Sequence, residues 1–214
     1  MSEAAPDSTE GFIARLFAPE DSDLRRIREA MEAEGLPDIA LPATTARTVQ
    51  LLLRLIGARK VLEVGTLAGY SALWIARALP TEGCLTTIDR DPARSELAGR
   101  LLSRAGVGDR VDLRVGDARD LLEELGPDGG WDAVFLDADK EGLPEYLTEA
   151  RRLLRSGGLL LVDNALWKGK VIDPEASDEA TVAIREALVI AAGDPALDAT
   201  LLPVGDGLLV ARRS

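Results

Sequence analysis

The sequence predicts a doubly wound α/β fold: a mostly parallel sheet of seven strands with helices on its faces, finished by an antiparallel C-terminal hairpin. Short apolar runs without alternation recur along the chain, as strands buried on both faces require. Amphipathic stretches with helical spacing separate them, the strand–helix alternation of an α/β sheet. Near the C-terminus two further runs flank Gly205-Asp206-Gly207, a turn short enough to force an antiparallel pair.

The elements follow in order. Met1 to Glu10 are acidic, rich in Ser, Pro and Ala, and expected to be disordered. Phe12 to Glu34 read as one helix, with Leu24, Ile27 and Met31 at spacings of three and four, closed by Gly35 and Pro37. A second helix is expected over about Thr44–Ile56, with Val49, Leu52, Leu53 and Ile56 on one face and Gly57 as its stop. Residues 11–45 thus form an N-terminal helical arm. The next strands are Val61–Val64, Leu85–Ile88, Val111–Val115, Ala133–Leu136 and Leu159–Val162. Helices are expected between them at about Ser71–Leu79, Pro92–Ala105, Ala118–Leu125 and Leu143–Leu154. A helix over Asp178–Ala192 and hairpin strands Thr200–Val204 and Leu208–Arg212 complete the chain. With no internal repeat or long linker, residues 1–214 read as one domain.

Composition narrows the chemistry. The chain has no histidine and one cysteine, Cys84. That removes Ser-His-Asp and Cys-His catalysis, His-ligated zinc and an internal disulfide. Acid–base work falls to Asp, Glu, Lys or Tyr, and a metal would need hard oxygen ligands. A lone cysteine suits a reducing cytoplasm. With 25 basic and 37 acidic residues the net charge is −12, which disfavours a nucleic-acid partner. No apolar run approaches membrane-spanning length, and the N-terminus has no basic and apolar leader.

In such sheets ligands bind beyond the carboxyl ends of the strands. After the first strand, Glu63 to Ser71 carry Gly65 for a tight turn and Gly69 for close approach at a helix start. The Gly-x-x-x-Gly spacing is not that of dinucleotide sites, and a purely structural turn is the alternative. Asp89 ends the second strand, where a carboxylate can accept both ribose hydroxyls of an adenosyl ligand; opening a turn is its bland alternative. Gly116-Asp117-Ala118 follows the third strand, placing a backbone amide for an adenine edge, which is compatible with Asp117 capping a helix. Strand four ends in Asp137-Ala138-Asp139-Lys140 and strand five in Asp163-Asn164. Asp137, Asp163 and Asn164 would present two carboxylates and an amide oxygen to one point, a set suited to Mg²⁺, Mn²⁺ or Ca²⁺. Alternatively, Lys140 neutralises Asp137 and Asp163-Asn164 is only a turn.

Taken in order, Val61-Leu62-Glu63-Val64-Gly65-Thr66 with Gly69-Tyr70-Ser71, Leu136 to Lys140, Val162 to Trp167 and Gly205 to Leu208 resemble a known family. It is that of the cation-dependent O-methyltransferases using S-adenosylmethionine, with its catechol and caffeoyl-CoA branches. The resemblance runs from about Leu36 to the C-terminus and implies a class I methyltransferase fold. It implies that Glu63, Gly65, Ser71 and the backbone around Leu67, in the loop that Gly69 closes, hold the amino-acid end of the cofactor, with Leu41 lining that side. Asp89 would bind the ribose and Ala118 would adjoin the adenine. Asp137, Asp163 and Asn164 would ligate the metal, Asp137 also lying near the methionine portion, and Lys140 would be the general base. Trp167 would wall the pocket of a small catechol-like phenolic acceptor, with a core or dimer contact as its alternative. A homodimer is also implied. The catechol branch has a histidine where Ala138 stands, and Pro42–Ala46 lacks the Ser, Glu and Gly often found there. Competing readings are methylation of a hydroxyl on a modified tRNA base, a nicotinamide oxidoreductase and a non-catalytic cofactor-binding protein. The negative charge, the glycine spacing and the intact acidic set, respectively, weigh against them.

Overall fold

The computed structural model describes residues 8–37, 39–125 and 130–214. Its helices are α1 (Thr9–Phe17), α2 (Ser22–Ala33), α3 (Ala43–Leu55), α4 (Tyr70–Ala76), α5 (Pro92–Arg104), α6 (Ala118–Glu124), α7 (Leu143–Leu153) and α8 (Glu179–Gly193). Its strands are β1 (Lys60–Val64), β2 (Cys84–Asp89), β3 (Val111–Val115), β4 (Trp131–Leu136), β5 (Leu154–Val162), β6 (Leu197–Leu202) and β7 (Leu208–Arg213). They form one seven-stranded sheet in the order β3-β2-β1-β4-β5-β7-β6. The first five strands in that order are parallel. β7 is antiparallel to both β5 and β6, so the expected hairpin inserts its second strand between them.

The unalternated apolar runs are explained by burial on two sides. Val61, Ala133, Phe135, Leu159 and Leu161 pack into the core layer that includes α2, α3, α4 and α5. Leu62, Val64, Val134, Leu136, Leu160 and Val162 point into the opposite layer, with α6, α7 and α8. Register then decides where chemistry can sit. Val64 pairs with Ile88 and with Leu136, and Leu136 pairs with Val162. The residues that follow, Gly65, Asp89, Asp137 and Asp163, therefore stand in one row along the carboxyl edge. The order reverses between β1 and β4, the crevice where such sheets hold ligands.

Three expectations need correction. The helix expected over Phe12–Glu34 is two helices, because Pro19 has no N–H to continue α1 and Asp21 caps a fresh start, accepting from the Asp23 and Leu24 amides. Ser8 to Glu10 are ordered: Ser8 accepts the Gly11 amide and α1 begins at Thr9, while residues 1–7 lie outside the described residues. The first hairpin strand is Leu197–Leu202 rather than Thr200–Val204, since Pro203 cannot donate to the ladder. Among the described residues, no helix is long and apolar enough to cross a membrane.

Candidate active site

A cavity of about 490 Å³ opens over the carboxyl ends of β1, β2 and β4. Leu41, Gly65, Leu67, Ser71, Asp89, Ala118, Asp137, Lys140, Asn164 and Trp167 all line it. Three other residues singled out in the sequence are placed elsewhere. Glu63 is fully buried within β1, and Asp163 is 2 % exposed, buried at the end of β5. Gly69 turns toward α5: a Cβ there would stand 3.3 Å from Ala98 and Leu102. Tyr70, Arg90, Arg94, Arg119, Asp139 and Tyr146 also line the cavity. Tyr70 and Asp139 stand in motifs quoted from the sequence, whereas Arg90, Arg94, Arg119 and Tyr146 were not singled out there.

The loop after β1 is shaped by contacts that few residue types satisfy. Gly65 has φ 107°, and a Cβ on it would lie 2.3 Å from the Asp137 carbonyl oxygen. Only glycine lets these two strand ends approach so closely. Leu67 adopts a left-handed φ of 48°, and its amide donates to Asp89 Oδ2 at 2.8 Å. The Asp91 amide donates to Asp89 Oδ1 at 2.9 Å. Asp89 is thus locked by one backbone donor per oxygen, and each oxygen keeps lone-pair capacity for a ligand hydroxyl. Both readings of the next loop hold together: Asp117 caps α6 through the Arg119 amide at 2.9 Å, while Ala118 faces the cavity. On the rim, Arg28 Nη2 donates to the Leu41 carbonyl at 3.2 Å, and its Nε donates to Glu20 at 2.6 Å.

Glu63 is the deepest charged group of the site. Its Oε2 accepts from the Thr87 hydroxyl at 2.7 Å, while Oε1 has no hydrogen-bond partner among the described residues. Burial pushes this carboxyl up to about 8, only partly offset by the neighbouring Ser71 and Thr87 hydroxyls, with the Asp137 and Asp89 charges adding to the rise. A carboxyl raised on folding costs nothing while both states are protonated. The cost grows as pH climbs from about 4.5 to about 8, and persists above that. Glu63→Gln should therefore gain stability relative to the parent as pH rises, by up to roughly 5 kcal/mol. Thermal melts at about pH 5 and about pH 9 check this; a stability difference independent of pH would refute it.

The strand-end acids behave as a pair. The Asp137 amide donates to the Val64 carbonyl at 2.9 Å and the Asp163 amide to the Leu136 carbonyl at 3.1 Å, so both residues continue the sheet ladder. Lys140 Nζ lies 3.2 Å from Asp137 Oδ1 and is itself only 7 % exposed. Burial raises the Asp137 carboxyl and Lys140 draws it back down. Burial pushes Asp163 up to about 7, and the Asp137 charge adds to that rise. Asp163 Oδ1 is buried with no hydrogen-bond partner among the described residues. Neutralisation of Asp137 by Lys140 is therefore present in the structure, but it leaves Asp163 unmatched. Beside it Asn164 takes φ 58°, a conformation that L side chains other than Asn and Asp seldom adopt. Among the described residues no three His, Cys, Asp or Glu side chains form a metal-holding group. The candidate donor set here is two carboxylates and an amide.

Trp167 also lines the cavity, with φ 48° and a buried Nε1 that has no partner among the described residues. Tyr146 closes the lower side, its hydroxyl donating to Asp139 Oδ1 at 3.0 Å.

Known proteins share this sequence and arrangement. A family model described as O-methyltransferase matches residues 16–214. A catechol O-methyltransferase of Niastella koreensis is 37% identical over 198 residues, covering 92% of this chain and 90% of that protein. A catechol O-methyltransferase of Mycobacterium tuberculosis is 39% identical over 197 residues, covering 92% of this chain and 89% of its own length. The solved structure of the O-methyltransferase TomG from Streptomyces achromogenes, in complex with S-adenosylmethionine, superposes with a TM-score of 0.90. The two are 36% identical, with 98% of this chain and 97% of that one covered. The fold is that of the class I methyltransferases, as the sequence led us to expect. A match that extends from Leu16 to the last residue, joined to relatives this similar over nine-tenths of the chain, makes this protein an enzyme that belongs to the O-methyltransferase family.

Proposed function

We propose that the cavity binds S-adenosylmethionine and that the enzyme transfers its methyl group to one hydroxyl of a small catechol-like acceptor, with a divalent cation, Mg²⁺ or else Mn²⁺ or Ca²⁺, at the carboxyl edge of β4 and β5. The observation that carries the metal reading is the buried, unpartnered Oδ1 of Asp163 beside Asp137. The Asp137 charge adds to the rise of the buried Asp163 carboxyl, and a dication is the partner that would satisfy both acids. Asp137, Asp163 and Asn164 would hold it. The names of the two catechol O-methyltransferase relatives support the acceptor class.

When bound, S-adenosylmethionine supplies a methyl group on positive sulfur, and the divalent ion supplies charge that makes a coordinated hydroxyl more acidic. The chain's own residues do the rest. Leu41, Gly65, Leu67 and Ser71, in the loop that Gly69 closes, would hold the amino-acid end of the cofactor, with Glu63 supporting them from its buried place in β1, and Asp137 would adjoin its methionine portion. Asp89 would receive the ribose hydroxyls and Ala118 would adjoin the adenine. Lys140 would take the hydroxyl proton at Nζ, and Trp167 would wall the acceptor. Apolar walls from Leu41, Val64 and Ile88 keep water from a step in which opposite charges cancel.

We read residues 1–214 as one methyltransferase domain that pairs as a homodimer. Phe12, Leu16 and Phe17 of α1 stand exposed, as do Leu51 and Leu55 of α3, an apolar surface suited to a second copy.

Isotope-labelled S-adenosylmethionine with a panel of vicinal diols and their monohydroxy analogues tests the acceptor class. Diols should be methylated at least about tenfold faster, because two oxygens fix the acceptor and one does not. Equal rates for both would refute a chelated acceptor.

A further inference from the structure

The turn Gly205-Asp206-Gly207 lies between β6 and β7. It also grips the segment that follows β5. The Ala165 amide donates to the Gly207 carbonyl at 2.9 Å and the Leu166 amide to the Asp206 carbonyl at 2.8 Å. The Lys168 amide donates to the Asp206 carboxylate, at 2.6 Å from Oδ1. The contact is close enough that a Cβ on Gly207 would lie 2.9 Å from the Leu166 nitrogen.

That segment needs holding. Asn164, Trp167 and Lys168 have φ of 58°, 48° and 55°, three non-glycine residues in the left-handed region within five positions. Such a run persists only where surrounding contacts over-determine it. Asn164 and Trp167 line the cavity, and Lys168 follows directly. A hydrogen bond from an amide to a carboxylate is stronger than one to a neutral oxygen, so Asp206 provides the firmest of these three holds.

We propose that Asp206 is a positioning residue for methyl transfer: its carboxylate, by fixing the Lys168 amide, keeps Trp167 against the acceptor side of the cavity and Asn164 at the end of β5. The functional half of this statement rests on the proposed acceptor and metal sites. The conformational half does not.

Fluorine NMR on protein labelled with fluorotryptophan separates the two. Trp74, Trp131 and Trp167 give one resonance each, assigned by single substitutions to phenylalanine. Asp206→Ala should shift or broaden the Trp167 resonance while those of Trp74 and Trp131, distant in the core, stay in place. It should raise the acceptor KM about tenfold, with the Kd for S-adenosylhomocysteine within about twofold of the parent. Asp206→Asn keeps an acceptor oxygen and should restore most of both properties. Gly207→Ala leaves the carboxylate but drives a Cβ into Leu166, and should displace the same resonance even if Asp206→Ala does not fold. A Trp167 resonance unmoved in Asp206→Ala, or Asp206→Asn as impaired as Asp206→Ala, would overturn the proposal. If the parent methylates no vicinal diol while Asp206→Ala still moves the Trp167 resonance alone, the acceptor reading fails and the conformational role stands.

Discussion

Lys140→Ala is expected to lower kcat about 10²–10⁴-fold while leaving the Kd for S-adenosylhomocysteine within about threefold of the parent. Few other side chains of the site could take the proton. The chain has no histidine, and arginine does not deprotonate in proteins. The Tyr146 hydroxyl lies in the cavity wall, but burial and the Asp139 carboxylate push its pKa well above the ordinary tyrosine value. Lys140 Nζ is buried in the wall, at the end of β4, within reach of Asp137. Lys140→Arg discriminates between the two roles open to it. Arginine preserves the ion pair with Asp137 and cannot accept a proton, so it should lose about as much turnover as alanine, some 10²-fold or more. Near-parental kcat in Lys140→Arg would make Lys140 a charge partner and nothing more.

Asp163→Asn should lose about 10²-fold or more of the transfer rate and at the same time raise thermal stability in the presence of a chelator. The two effects have one origin. Without a cation, Asp163 is a buried carboxyl raised from 3.8 to about 7, so its cost to folding is absent at low pH and grows through that interval. Removing the charge removes the cost, and the gain should be full only above neutral pH. It also removes a donor that a divalent ion would need. Parallel melts and initial rates measure both effects. A variant that is less stable than the parent at alkaline pH and still active would place Asp163 among ordinary structural residues.

Much of this site was legible because strand ends in a doubly wound sheet are predictable places. Gly65, Asp89, Asp137 and Asp163 each follow an apolar run, and parallel register brings those ends into one row. Depth and direction were not legible. A strand-end residue can line the cavity, as Asp137 does, or be buried beside it, as Asp163 is, and one-dimensional spacing does not distinguish them. Gly69 illustrates the same limit: a glycine where a helix begins reads as room for a ligand, whereas its missing Cβ makes room for Ala98 and Leu102. The break at Pro19 was visible as a residue, but apolar periodicity ran across it and suggested one helix. The hold of Asp206 on Lys168 joins positions 38 residues apart. It depends on β7 inserting beside β5, which no local pattern encodes.

Metal dependence is the central claim, and the initial rate of methylation of a vicinal diol after exhaustive chelation tests it most directly. With S-adenosylmethionine saturating, the rate should fall about 10²-fold or more, and stepwise return of Mg²⁺ should restore it along a saturable curve. The Kd for S-adenosylhomocysteine, measured in parallel, should change less than about threefold, since Asp89 and the β1 loop do not depend on the ion. A rate unchanged by chelation would contradict a metal-held acceptor and leave Asp137, Asp163 and Asn164 without the role assigned to them.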